Sequence, residues 1–331
     1  MAIDYTVETF AEIYDKEYPY TEVIGKGILA SEEKLLLAGP PKHGKSILMM
    51  QTAIELANGK PWLQSIYVPE PQRILMFAME DTGRRLHSRE HLMALEMGEQ
   101  LVKTNQVTVI RAKRIPFTEQ EGADFVGEMV TKYKPQGLII DPFYKINTGD
   151  ENAAHIVQQT FNVIDEAMAV NKSWCILVHH THKVHFDKFG NPIGEGMNAI
   201  RGSIQFWSWP DSIAVLTRNK EDVWLDTSLR DGDITKIEMS QDNSSLLYKA
   251  ESFYSGSSTI PSTALGNHIQ AIRTLLKGLG RTKAAEIVKR SGLHKTLVYE
   301  CLSYMEQHGQ AQRVKIKEKG IDGRESYWEV V

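Results

Sequence analysis

Six short apolar runs recur along the first two-thirds of the chain: Leu35–Ala38, Ile74–Ala78, Val107–Ile110, Leu138–Ile140, Cys175–Val178 and Ile213–Leu216. Helix-length segments of mixed polarity separate them. A strand that is apolar on both faces needs cover on both faces. Runs without polar alternation therefore predict a mainly parallel sheet between helical layers. After Arg218 the pattern changes. Val223–Asp226, Ile234–Met239 and Leu246–Lys249 alternate apolar and polar residues, with turn residues at 230–232 and 242–245 between them. They predict an antiparallel extension at the sheet edge. Residues 251–266 are rich in Ser, Thr, Gly and Pro, a linker composition. Beyond them, helical periodicity over His268–Gly278, Thr282–Ser291 and Leu293–His308 precedes two strand-like runs, Gln312–Lys319 and Glu325–Val331. Three helices and a hairpin predict a small winged helix-turn-helix domain. The expected organisation is a lead-in over 1–30, an α/β domain over 31–250, a linker over 251–266 and the winged unit over 267–331.

Composition narrows the class. The chain has 331 residues, 42% hydrophobic and 24% charged, with a net charge of −4. These values suit a soluble globular protein of one large and one small domain. The charge is uneven, however. From 265 to 331 there are twelve Lys/Arg against seven Asp/Glu, which gives +5 there and leaves −9 on the rest. A basic small domain on an acidic body is the footprint of a polyanion partner. The two cysteines, Cys175 and Cys301, are far apart in apolar surroundings, which points to a reducing compartment without disulfides. There is no long uninterrupted apolar window and no charged-then-apolar leader, so the expectation is a cytoplasmic protein without a membrane partner.

The densest chemistry lies behind the first apolar run. Gly39-Pro40-Pro41-Lys42-His43-Gly44-Lys45-Ser46 fits G-x-x-x-x-G-K-[ST], with a strand before it and a helical segment from Ile47 to Ala57 after it. Such a loop wraps a phosphate chain in backbone N–H groups, so it must curl without obstructing side chains. The helix N-terminus adds free donors and partial positive charge. Residues Gly39 to Ile47 are thus the candidate cradle for ATP. Lys45 would reach the terminal phosphates and Ser46 would ligate Mg²⁺.

Ligands in an open parallel sheet bind at the carboxyl ends of strands, and three later strand ends carry candidate residues. Glu80-Asp81 follows the second run. Glu80 is the candidate to polarise water, while Asp81 or Thr82 caps the next helix. Asp141 ends the fourth run and is the candidate second ligand of Mg²⁺. Pro142 follows it, so the water-activating carboxylate must come from another strand, and Glu80 is the natural donor. His179-His180-Thr181-His182-Lys183 ends the fifth run. Adjacent strand residues face opposite ways, so His179 and His180 do not converge on one ion. A γ-phosphate sensor is favoured over a zinc site.

Taken together, the glycine loop, Glu80 on its own strand, Leu138-Ile139-Ile140-Asp141 and the His-His strand end resemble RecA-fold hexameric ATPases. The likeness is greatest to RepA-type replicative helicases and covers roughly residues 20–250. The resemblance implies Lys45 and Ser46 on phosphate and Mg²⁺, Glu80 as general base, Asp141 on Mg²⁺ and His180 as sensor. The stretch from Asp211 to Asn219 is similar to the helicase strand that ends in an arginine finger. That makes Arg218, or else Arg201, the residue that enters a neighbouring subunit's site and makes hydrolysis depend on assembly into a ring. The family places single-strand-gripping loops after the Asp141 and His180 strands. Here these hold Lys183, His185 and Lys188. In the winged unit, the third helix would present His294, Lys295, Thr296 and Tyr299 to a duplex, and the wing would offer Lys315 and Lys317 to phosphates. The expected activity is Mg²⁺-dependent ATP hydrolysis driving translocation on DNA or its unwinding, in the replication or recombination of a plasmid, phage or other mobile element. The alternative is an ATP-regulated protein whose winged unit reads a duplex site.

Overall fold

The computed structural model describes residues 6–16, 20–181, 185–186, 192–193, 196–200, 202–219, 222–255, 272–291, 293, 295–307, 311–316 and 325–330. It divides into two compact units, 1–233 with 239–250, and 251–331 with 234–238.

The first unit begins with α1 (Phe10–Tyr14) and a small hairpin, β1 (Glu22–Ile24) and β2 (Leu29–Ala30). Then follow β3 (Lys34–Ala38), α2 (Lys45–Ala57), β4 (Ile74–Ala78), α3 (Gly83–Met97), α4 (Glu99–Val102), β5 (Val107–Ile110), α5 (Gln120–Tyr133), β6 (Gly137–Asp141), α6 (Ala154–Asn171) and β7 (Trp174–Val178). A short pair, β8 (His185–Phe186) and β9 (Pro192–Ile193), precedes α7 (Gln205–Ser208) and the strands β10 (Ser212–Asn219), β11 (Asp222–Ser228), β12 (Ile234–Gln241) and β13 (Tyr248–Ser255).

Nine strands form one sheet in the order β13-β12-β11-β10-β3-β7-β6-β4-β5. From β10 to β5 every neighbouring pair is parallel, and β11 returns antiparallel to β10. This is the mainly parallel sheet with an antiparallel edge that the apolar pattern predicts. Register explains the core. Ile213, Leu36, Leu177, Ile140 and Phe77 are successive cross-strand partners, a row that runs across the sheet. Side chains alternate along a strand, so this row and its next-but-one neighbours share one face, where they pack with Val126 and Val130 of α5 and Phe161 and Ile164 of α6. In α2, Leu48 to Ala57 are all buried, which is why that helix reads as apolar nearly all round. The loops that leave β3, β4, β6 and β7 at their carboxyl ends therefore meet along one edge.

The second unit contains a helix over 272–279 (α8), β14 (Thr282–Lys283), α9 (Ala284–Ser291), α10 (Lys295–Gln307), β15 (Ala311–Ile316) and β16 (Glu325–Val330). Ile272, Leu276, Ile287, Val298, Cys301, Leu302, Met305 and Trp328 form its core. The spacing of 298, 301, 302 and 305 is the apolar stripe of an α-helix. Helical periodicity predicts a helix from Thr282, but the helix starts at Ala284. Thr282 and Lys283 pair instead with Trp328 and Tyr327 of β16, in a three-stranded sheet of order β14-β16-β15. A β-branched Thr opposite an aromatic is a favourable cross-strand pair and a poor helix start. Residues 268–271, 308 and 317–324, assigned above to helix ends and wing, lie outside the described residues.

Candidate functional site

The loop from Gly39 to Lys45 links β3 to α2, and its two glycines are fixed by what presses on them. A Cβ on Gly39 would lie 2.6 Å from the Leu216 carbonyl oxygen. Gly44 has φ +99°, and a Cβ there would lie 2.0 Å from the Tyr248 hydroxyl. Both positions exclude any larger residue on packing grounds alone. Pro41 and Lys42 are exposed, while Pro40, His43, Ser46 and Ile47 are half-buried. Inside the loop Lys45 is buried, and its Nζ donates to the carbonyls of Gly39 (2.7 Å) and Pro40 (2.9 Å). The same Nζ lies 3.2 Å from His180 Nδ1. Burial pushes the Lys45 ammonium down to about 8, against the pull of the Asp141 and Glu80 carboxylates.

Asp141 ends β6 in a buried position. Burial pushes its carboxyl up to about 6, while a hydrogen bond from the Ser46 side chain and the nearby Lys45 act the other way. The structure thus brings Lys45, Ser46, Asp141 and His180 to one place. His179 goes elsewhere. It is buried, stacks on Phe206 with ring centroids 4.0 Å apart and meets the edge of Phe143 at 5.5 Å. The two histidines face opposite sides of the strand end and do not converge on one ion.

Glu80 follows β4 at an exposed position and accepts a hydrogen bond from the Tyr144 hydroxyl. Asp81 beside it has a different role. It pairs with Arg89 (2.6 Å) and Arg85 (3.3 Å), while Thr82 is the N-cap of α3, accepting from the Arg85 N–H. Tyr144 stands in a short turn of 3₁₀ helix, Phe143–Lys145, directly after Asp141-Pro142. Its ring lies 5.6 Å from the His180 ring. Burial raises the Tyr144 phenol, and the Glu80 carboxylate raises it further.

Arg218 lies at the end of β10, beside β3. Its guanidinium donates to Gln241 Oε1 and to the Tyr248 hydroxyl (3.2 Å), and it sits 6.0 Å over the Tyr248 ring. The arginine implied to act in a neighbour's site is thus tied within its own chain. Tyr248 is itself held by α2. Gln51 Nε2 donates to the Tyr248 carbonyl and Gln51 Oε1 accepts from its N–H, both at 2.7 Å. His43 Nδ1 is buried with no hydrogen-bond partner among the described residues, and burial with Lys45 and Arg218 nearby lowers its pKa.

Tyr144, Tyr248, Gln241 and Gln51 escape a reading of the sequence. Tyr144 alone had a local signal, three residues beyond a strand-ending Asp. The others reach the loop through tertiary packing. Of the nucleic-acid candidates, Lys183, Lys188, His294 and Lys317, like Arg201, lie outside the described residues, and for His185, Thr296 and Lys315 only the backbone is described. Lys295 and Tyr299 share one face of α10. The Lys295 ammonium lies 6.0 Å from the centroid of the Tyr299 ring, which is exposed. No helix among the described residues is long and apolar enough to cross a membrane.

Comparison with known proteins sets this geometry in a family. A sequence family described as an AAA domain matches residues 6–185. Among solved structures, the ATPase domain of G40P superposes with a TM-score of 0.51 at 12% identity, over 66% of this chain and 85% of its own. A DnaB-like replicative helicase, described with its interactions with primase, superposes with a TM-score of 0.54 at 12% identity, over 72% of this chain and 66% of its own. At that identity the likeness is one of fold: the first unit has the RecA-like architecture of helicase ATPase domains. No curated protein matches the chain.

Proposed function

Because the chain belongs to the AAA-domain family matched over residues 6–185, we propose that it is a Mg²⁺-dependent ATPase that works on DNA as a helicase or translocase assembled from copies of itself. The observation that carries this reading is the meeting of Lys45, Ser46, Asp141 and His180 at the carboxyl edge of the sheet, with Glu80 joined to them through Tyr144. The fold it shares with helicase ATPase domains supports the same reading.

The donor set suits Mg²⁺. A buried carboxylate and a hydroxyl already hydrogen-bonded to it are hard oxygen ligands. Ser46 and Asp141 would hold the ion, which when bound shields charge on the phosphate oxygens. The backbone N–H groups of Lys42 to Ser46, at the end of the loop and the start of α2, receive the phosphates of the substrate ATP; Pro40 and Pro41 have no N–H to give. Lys45 then exchanges the Gly39 and Pro40 carbonyls for phosphate oxygens, which favour its charged form. Glu80 accepts the proton of the attacking water. His180, already touching Lys45, reads the terminal phosphate. Arg218 supplies cationic stabilisation, and a neighbour's phosphate would compete with Gln241 and Tyr248 for its guanidinium.

The second unit is the proposed winged helix-turn-helix and 1–30 the lead-in, but the expected linker over 251–266 is too long, because residues 251–255 complete β13 and leave 256–266, outside the described residues, as the proposed linker. Lys295 and Tyr299 on the first turns of α10 favour a second use, duplex reading controlled by nucleotide. Single-stranded DNA, the first reading's ligand, would stimulate hydrolysis without sequence preference and bind less tightly as salt rises. A regulator would prefer one duplex and hydrolyse slowly. The mixing test addresses Arg218. Arg218→Ala keeps ATP binding and loses hydrolysis, and mixing it with Glu80→Gln protein restores part of the rate. Unchanged turnover in Arg218→Ala would remove Arg218 from the site.

A further inference from the structure

Between β5 and α5 the chain runs Arg111-Ala112-Lys113-Arg114-Ile115-Pro116-Phe117. The apolar residues hold this segment in place. Ile115 and Phe117 are buried in the core of the sheet, and Ala112 packs against the same core. The backbone is tied to the chain that follows Asp141. The Ile115 N–H donates to the Lys145 carbonyl at 3.1 Å and the Phe117 N–H to the Ile146 carbonyl at 2.9 Å. The cations are left to solvent: Arg111, Lys113 and Arg114 are all exposed. Arg111 lays its guanidinium against Gly83 at the start of α3, where an added Cβ would stand 2.7 Å from Nη1. Arg114 donates to the Asn147 carbonyl at 2.7 Å, a bond that leaves most of its N–H groups uncommitted. None of these cations makes an ion pair with a described carboxylate, whereas Arg85 and Arg89 of α3 share Asp81.

We propose that Arg111, Lys113 and Arg114 form a contact surface for the phosphate backbone of single-stranded DNA, alongside the loop that follows Asp141. Like charges so close along the chain repel one another, and a polyanion laid across them relieves that repulsion. A guanidinium also matches phosphate geometry, with parallel N–H groups for two oxygens. Because the segment is anchored at Ile115 and Phe117, its cations are presented without first ordering a loose loop. Contacts of this kind position a strand and carry no base preference. The inference rests on the reading of the protein as an ATPase that works on DNA, and adds a contact surface to it.

The test is binding of full-length protein to a fluorescent oligothymidylate, read by anisotropy over a range of salt concentrations with a non-hydrolysable ATP analogue and constant Mg²⁺. Arg111→Gln with Lys113→Gln removes two charges and spares the Arg114 bond to the Asn147 carbonyl. At about 0.1 M salt the affinity of this double variant is expected to fall on the order of tenfold. The slope of log affinity against log salt is expected to become shallower by roughly 1, the counterions released by two single-strand phosphate contacts. Lys134→Gln with Lys172→Gln removes the same charge at the opposite ends of the strands, before β6 and β7, and is expected to keep the wild-type slope. Both double variants are expected to bind the ATP analogue as wild type does. An unchanged slope and affinity in the Arg111 and Lys113 variant, or an equal change in both variants, would overturn the proposal. A smaller sedimentation coefficient in that variant with its DNA slope unchanged would give the surface to a neighbouring copy, and would overturn it as well. Should the double variant fail to fold, Lys113→Gln alone is expected to give half the change in slope, and no change would count against the surface. If wild-type protein binds no single-stranded DNA, the DNA reading itself falls. If it binds and the variant binds alike, only this surface does.

Discussion

Lys45 and Asp141 carry opposite charges at the candidate site, and burial pushes each toward its neutral form. For Asp141 the folded carboxyl titrates at about 6, above the ordinary aspartate value of 3.8. A protonated acid cannot ligate a cation. Affinity for Mg²⁺ with an ATP analogue is therefore expected to fall as pH drops below about 6 and to level off above it, read by fluorescent-nucleotide titration at constant ionic strength. Asp141→Asn should abolish that dependence, and an affinity flat from about pH 5 to about pH 7.5 would oppose the assignment. For Lys45 the folded value of about 8 lies below the ordinary 10.5. The unfolded chain then binds more protons between those values, so stability rises with pH across that window. At neutral pH the charged Lys45 costs stability. Lys45→Met should thus stabilise the nucleotide-free protein by on the order of 1–3 kcal/mol near pH 7, and the gain should vanish as pH climbs toward the lysine value. Urea denaturation at several pH values measures both. A destabilised Lys45→Met would mean that the carbonyl and His180 contacts outweigh the desolvation.

At the scale of elements, the loop is held by β13 as much as by its own sequence. Gln51 of α2 extends the backbone pairing of Tyr248 with two hydrogen bonds, and Tyr248 then presses on Gly44. Gln51→Leu would leave the buried N–H and C=O of Tyr248 without partners, at a cost of about 2–4 kcal/mol, measurable as a lower denaturant midpoint and weaker nucleotide binding. Gly44→Ala should be similarly severe. Adding Tyr248→Phe should recover part of the loss, because the hydroxyl is the nearest obstacle, but not all of it, because φ +99° strains any alanine. No recovery would show that strain alone sets the penalty. These couplings also explain what could be read in advance. The buried strands were legible because a parallel strand covered on both faces must be apolar throughout, so Ile74–Ala78 coincides with its apolar run and Trp174–Val178 begins one residue before its own. Asp141 and Glu80 were legible because a carboxylate interrupting such a run has few structural excuses. Tyr248 and Gln51 were not, since a tyrosine in an alternating strand and a glutamine in a helix look like any others until packing brings them together. Thr282 was misread because helical periodicity outweighed a two-residue pairing that only β16 makes possible.

The whole molecule has a RecA-like unit and a small unit whose described residues form three helices and a three-stranded sheet, and its sequence puts a +5 tail on a −9 body. A surplus of Lys and Arg on the small unit predicts that full-length protein binds DNA with an affinity that falls steeply with salt, more steeply than protein ending at residue 255. Equal salt slopes would take the tail out of DNA binding. The assembled state makes a separate demand. If Arg218 must leave Gln241 and Tyr248 for a neighbour's phosphate, hydrolysis per chain has to grow with protein concentration. The most direct test of the account is ATP hydrolysis by purified full-length protein in the presence of Mg²⁺, with and without single-stranded DNA, over a range of protein concentrations. The account predicts a rate that rises more than linearly with protein, is stimulated by single-stranded DNA and disappears in Glu80→Gln while nucleotide binding survives. A rate linear in protein and indifferent to DNA, or one that survives in Glu80→Gln, would contradict it.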